Sequence, residues 1–332
     1  MKKIIELLFI VLVLCGCESR ILIDDTTTPV EYVTKLQELG YSQAEVEVAD
    51  KYQDSLKEKL LNEYDQNVKK LLIRNVDERI VDFYLNNNIN IDVLIKIISD
   101  PYFIIDNLDL YNKYLKAFMS IRSLVEYVNT KAYKNDYTDY TYTKISNDTL
   151  MIASKIYYLD KYEPTDLVEV EKGYYLQSPP KLRKEASEAF VKMVDAARKD
   201  DIYFYISNAY RSYDTQEAIY NNYLKYDPQE EVDTYSSRPG FSDHQLGLTA
   251  DLRTKDKTLE AFTNTKEDFW LRENAYKYGF ILRYPKGKQG ITKYIYESWH
   301  YRYVGLEAAK EIYNNDITFD EYYAYYVEQN KG

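Results

Sequence analysis

The sequence predicts an α+β protein preceded by a mostly helical region, and three observations carry that prediction. Helical spacing dominates residues 31 to about 125, where Leu60, Leu61, Leu71, Leu72 and Ile73 recur among charged residues. From residue 179 onward, helix-like and strand-like stretches mix without alternating as regular βαβ units, which separates the pattern from a parallel α/β fold. The length of 332 residues, 45% hydrophobic and 29% charged, is an ordinary globular balance with room for about two domains at roughly 150 residues each.

The chain begins with a segment outside any fold. Lys2 and Lys3 precede an apolar run from Ile4 to Leu14, interrupted only by Glu6. That run is too short to cross a bilayer as a permanent helix and fits the apolar region of a secretory signal. It ends in Leu14-Cys15-Gly16-Cys17, which resembles a bacterial lipobox, with the small Gly16 directly before the cysteine to be lipidated. Residues 1–16 are therefore expected to be a lipoprotein signal peptide and Cys17 the lipidation site. A plain signal or an uncleaved anchor remains open. The expected location is extracytoplasmic, lipid-anchored to the cell membrane. Cys15 would leave with the signal and Cys17 would carry lipid, so neither of the two cysteines is left to pair. Polar residues 17–30 read as a tether.

Residues 31–150 form the expected helical N-terminal region. Leu36, Leu39 and Gly40 close a first helix, and Ser42-Gln43-Ala44-Glu45 has capping-box spacing for the next. Asn86-Asn87-Asn88 signals a turn before Ile91 to Ile98, which Asp100-Pro101 closes. Asp136 to Thr143 alternates polar and aromatic residues, as an edge strand or ordered loop would. The region reads equally as a spacer or as a wall-binding module, the latter because Leu36-x-x-Leu39-Gly40-Tyr41-Ser42 resembles small helical segments ahead of bacterial wall enzymes.

Residues 151–332 form the second expected domain, with a soft boundary near 150. Leu182, Ala186, Ala189, Phe190, Met193 and Ala197 mark a helix. Strands are expected at 202–206, 247–252, 280–284 and 293–297. Helices are expected at 215–226, at 266–278 with Gly279 as cap, at 305–314, and at 320–328 after a second capping box, Thr318-x-x-Glu321.

Net charge is −11 and no basic stripe appears, which argues against a nucleic-acid partner. Nothing in the sequence calls for an oligomer, and a monomer is expected. Tyrosine is abundant, at 38 residues against 11 phenylalanines, but carries no functional signal.

Chemistry concentrates around the only two histidines, His244 and His300. Asp251 follows the first by seven residues and Glu297 precedes the second by three. Two imidazoles and a carboxylate are a ligand set for zinc with one position left for water, and a further carboxylate suits a general base. Spacing alone fits a metal site no better than two ordinary histidines among unrelated carboxylates.

The stretch Pro239-Gly240-x-Ser242-x-His244-x-x-Gly247-x-x-x-Asp251 closely resembles the first metal motif of VanY-type zinc D-alanyl-D-alanine carboxypeptidases. Glu297-x-Trp299-His300-x-Arg302 resembles their second, and Tyr210-Arg211-Ser212-Tyr213-x-x-Gln216 the substrate-side motif upstream. The likeness covers roughly residues 150 to 315. It implies a small antiparallel sheet flanked by helices, one zinc held by His244, Asp251 and His300, and Glu297 as general base and proton donor. It implies Arg211 at the scissile carbonyl, with a surface ion pair as its ordinary alternative. Ser242 and Gln216 would bind the terminal D-Ala, although Ser242 could equally stabilise the turn after Gly240. Asp243 would orient a ligand or be a solvated charge, and Trp299 and Arg302 would be structural neighbours. The implied activity is trimming of the C-terminal D-Ala from peptidoglycan stem peptides. L,D-carboxypeptidase action, D,D-dipeptidase action and an inactive wall-binding module are the alternatives. The chain departs from the pattern at Asn208-Ala209 (usually Ser-Gly), Thr249 (alanine) and Ser298 (proline), which puts fine substrate preference in doubt.

Overall fold

The computed structural model describes residues 29–62, 65–118 and 120–329. The expected signal peptide, Cys17 and most of the tether lie outside the described residues. No helix among the described residues is long and apolar enough to cross a membrane.

The chain divides into two compact units at Ser99/Asp100. Among its described residues the first holds six short helices: Pro29–Glu38, Gln43–Ala49, Asp54–Asn62, Gln66–Leu72, Glu78–Asn86 and Ile91–Ile98. Each is too short to persist alone. Leu36, Val46, Ala49, Leu60, Val68, Leu71 and Leu94 on these helices are all buried. The expected capping box is present: the Ser42 side chain accepts from Glu45 N–H, and Glu45 Oε2 accepts from Ser42 N–H at 2.6 Å. Asn90 caps the sixth helix by accepting from the N–H groups of Asp92 and Val93.

The division falls at 99/100 and not near 150. Residues 100–150 pack with the C-terminal unit because that unit's interior is completed by their backbone and rings. Arg302 donates from Nη2 to the carbonyls of Thr149 at 2.9 Å and Met151 at 2.6 Å. Tyr102 stacks on Tyr325 at 4.1 Å. Part of this segment, Ile121–Asn129, is helical and carries the helical spacing a few residues past its expected end near 125, and the expected edge strand shrinks to Thr141–Tyr142, paired in parallel with Tyr157–Tyr158.

The centre of the second unit is a four-stranded antiparallel sheet: β1 (Tyr205–Asn208), β2 (Thr249–Arg253), β3 (Phe280–Leu282) and β4 (His300–Tyr303), in the order β1-β2-β4-β3. Strand alternation gives the sheet two different faces. Ile206, Ala250, Leu252, Phe280, Tyr301 and Tyr303 point to a core completed by helix α1 (Lys184–Lys199), where Ala186, Phe190, Met193 and Ala197 of the expected stripe are buried together with Val194. Asp251, His300 and Arg302 alternate with these residues and so lie on the opposite face.

One expected strand is not a strand. Residues 293–297 alternate locally, yet Lys293 adopts a left-handed conformation (φ 66°) that ends the helical turn Gln289–Thr292. Ile295 N–H then bonds the carbonyl of Thr234, in the helix Gln229–Tyr235 and outside the sheet. The fourth strand comes after it, at His300. The strand expected at 202–206 likewise shifts to 205–208, with a bulge between Ile206 and Asn208.

Candidate active site

Strand register brings the ligands together. Asp251 on β2 pairs with Asn208 on β1 on one side and with His300 on β4 on the other. Asn208, Asp251 and His300 therefore form one row across the sheet. His244 arrives from the short turn Asp243–Leu246, which Gly247 closes with a left-handed φ of 66°. At the start of the same motif Gly240 has φ 84°, and a Cβ there would lie 2.1 Å from the Tyr158 ring. Only glycine fits such a turn against that ring.

His244 Nε2 lies 3.4 Å from Asp251 Oδ2, and His300 Nδ1 lies 3.2 Å from Asp251 Oδ1. One donor atom from each of the three residues falls within 4.8 Å of the others. Ligand atoms around a tetrahedral zinc, each ~2.0–2.2 Å from the ion, sit about 3.3–3.5 Å apart. The set thus fits a zinc ion in donor type and spacing. Two further features agree. His244 Nδ1 lies 2.7 Å from the carbonyl of Ala209, so the proton sits there and Nε2 presents its lone pair. Asp251 Oδ1 is buried and accepts no hydrogen bond.

The electrostatics also suit a cation. Burial works against the charge of Asp251, but His244 and His300 outweigh it and hold the carboxyl well below the usual range. Burial likewise opposes protonation of His300, yet Asp243, Asp251 and Glu297 hold its imidazole well above its ordinary value. A divalent ion among the same atoms would answer the same surplus of negative charge. His244 is pushed down by burial and by Arg211.

Glu297 Oε2 lies 3.2 Å from His300 Nδ1, and burial raises its carboxyl above the ordinary value, with Asp251 adding to the rise. Arg211 hydrogen-bonds the backbone carbonyl of His244 through its own N–H at 3.3 Å, and its Nε is buried without a partner. Both residues line one cavity of about 350 Å³ with the three candidate ligands and Ser242. Gln216 is not among the lining residues. Its Nε2 donates to the carbonyl of Ser237 at 2.7 Å, bracing the 236–237 segment that forms part of the wall.

Asp243 is fully buried in a charged network. It accepts from Arg302 Nη1 at 2.5 Å and from Thr249 Oγ1 at 2.7 Å, and lies 3.8 Å from Arg283 Nε and 3.7 Å from His300 Nε2. Thr249, one of the departures from the motif, adds a hydrogen bond here that an alanine lacks. Sequence reasoning passed over Tyr284, whose ring packs 4.7 Å from His300, and Asn208 as a donor to Asp251 Oδ2 at 3.3 Å. Asn208 stood in view only as a departure, and nothing local marks Tyr284.

The sequence model described as VanY: D-alanyl-D-alanine carboxypeptidase matches residues 179–306, which contain every residue of this cavity. The chain belongs to the VanY-type family. It is 42% identical over 181 residues to YodJ of Bacillus subtilis, itself only provisionally named a carboxypeptidase; the match covers 52% of this chain and 66% of YodJ. It is 37% identical over 141 residues to a D-alanyl-D-alanine carboxypeptidase of Enterococcus faecalis, covering 39% of this chain and 51% of that protein. The match thus spans between half and two thirds of these relatives. Among solved structures, the LdcB LD-carboxypeptidase, described in connection with peptidoglycan recognition, is 38% identical with a TM-score of 0.52, covering 55% of this chain and 94% of that one.

Proposed function

We propose that the protein is a zinc carboxypeptidase that removes the C-terminal D-alanine from peptidoglycan stem peptides. The observation that carries this reading is the convergence of His244, Asp251, His300, Glu297 and Arg211 on one cavity. His244 Nε2, Asp251 and His300 Nδ1 would hold the zinc, which when bound supplies Lewis acidity toward a water and a carbonyl oxygen. Glu297 accepts a proton from the attacking water and delivers it to the departing amine, a task that suits a carboxyl raised by burial. Arg211 places a fixed positive charge where the carbonyl oxygen becomes an anion. Ser242, buried in the wall, offers a hydroxyl to the terminal D-Ala. Gln216 acts at one remove, by holding the wall.

Likeness to the LdcB LD-carboxypeptidase supports a second reading, cleavage of the L,D bond of a tetrapeptide by the same groups. Product analysis separates the two. The protein is incubated with muramyl pentapeptide and tetrapeptide, with and without chelator, and free D-alanine is measured. Chelator-sensitive release from pentapeptide supports the first reading, and release from tetrapeptide alone supports the second. No release from either overturns both.

The reading also places the enzyme outside the cytoplasmic membrane, held by lipid on Cys17, which agrees with a wall substrate. Radiolabelled palmitate incorporation that survives in Cys17→Ala would contradict this.

A further inference from the structure

The catalytic face of the sheet does not end at the ligands. On β1 and β2, Asn208 pairs with Asp251 and Tyr205 with Arg253, and the bulge between Ile206 and Asn208 keeps both pairs on one face. One strand step of two residues, about 7 Å, therefore leads from the Asp251 row to the Arg253–Tyr205 row. Beyond that row lies a second groove, of about 690 Å³, lined by Tyr203, Tyr205, Thr254, Lys255, Lys257 and Lys266 among others. The two spaces share a wall, the short turn Glu260–Phe262: Leu259 and Glu260 face the catalytic cavity, and Ala261 and Thr263 face the groove.

The groove is chemically unlike the cavity. Tyr203 is 44% exposed, an open aromatic surface. Lys255 Nζ stands 5.4 Å from the Tyr205 ring centroid, and Lys266 Nζ is anchored on the carbonyl of Asp201 at 2.6 Å. The hydroxyl of Thr254, a residue only 8% exposed, is buried in the lining with no hydrogen-bond partner. The three lysines outnumber the two carboxylates of the lining, Asp256 and Glu267, in a chain whose net charge is −11. Aromatic faces take up the C–H faces of pyranose rings, hydroxyl and amide groups bond sugar hydroxyls and acetamido groups, and ammonium groups meet carboxylates.

We infer that this groove binds the saccharide strand that carries the peptide, an N-acetylated glycan that bears free carboxylates on its peptide-free sugars, while the peptide end enters the catalytic cavity. The inference rests on the reading of the substrate as a peptidoglycan stem peptide. The groove would make the enzyme prefer peptides still attached to glycan over free peptides, because binding away from the reacting bond strengthens capture of the whole substrate.

Two measurements test it. The first compares kcat/KM for free pentapeptide and for the same pentapeptide on a disaccharide-repeat oligomer, in the native protein, Tyr203→Ala and Lys257→Ala. Loss of a stacking contact of about 1 kcal/mol lowers capture about fivefold. The glycan-linked substrate should therefore lose about five- to tenfold in kcat/KM in each variant, through KM, while free pentapeptide stays within twofold. Equal effects on both substrates, or none on either, overturn the inference. The second measurement needs no turnover: calorimetric titration of Glu297→Gln with a peptide-free, carboxylate-bearing glycan oligomer and with an uncharged chitin oligomer. Binding of the charged oligomer that is weakened in the Glu297→Gln/Tyr203→Ala double variant supports the groove, with weaker binding of chitin. Absence of binding, or binding indifferent to Tyr203, overturns it. If the protein releases no D-alanine from any peptide, this second result still decides the groove separately from the proposed reaction.

Discussion

Replacing Asp243 with asparagine keeps the shape of the side chain and removes its charge. Asp243 is 2% exposed and holds Arg302 at 2.5 Å, with Arg283 at 3.8 Å. Removing one partner of a buried ion pair costs about 3–5 kcal/mol, because the other charge stays buried. The lower end applies here. Arg302 retains the carbonyls of Thr149, Met151 and Tyr303, and Arg283 retains Asp320. Asp243→Asn should thus destabilise the C-terminal unit by about 3 kcal/mol at pH 7. Burial raises the Asp243 carboxyl, but Arg302 and other cationic neighbours outweigh it and hold it far below the usual range. A depressed carboxyl contributes stability above its unfolded value, near ~4, and loses it as pH falls toward the folded value. The deficit of the variant should therefore be constant from pH 5 to 8 and shrink below about pH 4. Urea unfolding followed by tryptophan fluorescence measures it, since both tryptophans, Trp270 and Trp299, lie in that unit. A deficit under 1 kcal/mol at pH 7, or one that grows in acid, would refute the reasoning.

Thr249→Ala removes one hydrogen bond to the same carboxylate and should cost about 1.5 kcal/mol by the same assay. Its effect should largely disappear in the Asp243→Asn background, and full additivity would argue that the two do not interact. Gly240→Ala places a methyl 2.1 Å from Tyr158 at φ 84°, whereas Gly287→Ala, at φ 85° with nothing within 4 Å, bears only the backbone strain. The second should lower stability by about 1–2 kcal/mol and the first by clearly more, and equal melting temperatures would contradict the packing described for Tyr158. His244→Ala and His300→Ala should each lose stoichiometric zinc by elemental analysis, because the chain has no third imidazole to substitute.

The site was more legible in the sequence than the fold that holds it. His244 and Asp251 lie in one short segment and Glu297 and His300 in another, so local motifs carried all four. Their meeting depends on Asp251 pairing with His300 across β2 and β4, a non-local register that no local pattern encodes. Arg283, which approaches Asp243 from β3's end, had no motif at all. The residues 293–297 show the opposite error: local alternation suggested a strand, but Tyr294 is buried against Tyr284 while Ile295 bonds the helix Gln229–Tyr235, so tertiary contacts overrode the pattern. The unit boundary was misplaced for a similar reason. The polar, tyrosine-rich residues 100–150 have little periodicity of their own, and their role in completing the catalytic unit lies in backbone carbonyls, that of Thr149 offered to Arg302 and that of Asn147 to Arg183.

The most direct test of the catalytic assignment is D-alanine release by Glu297→Gln, with zinc content determined on the same preparation. Glu297 lies beside the ligand set at 3.2 Å from His300 without belonging to it. The variant should therefore bind one zinc as the native protein does and lose activity by about 10²–10⁴-fold. Native-like release by a zinc-loaded Glu297→Gln, or chelator-resistant release by the native protein, would contradict the account.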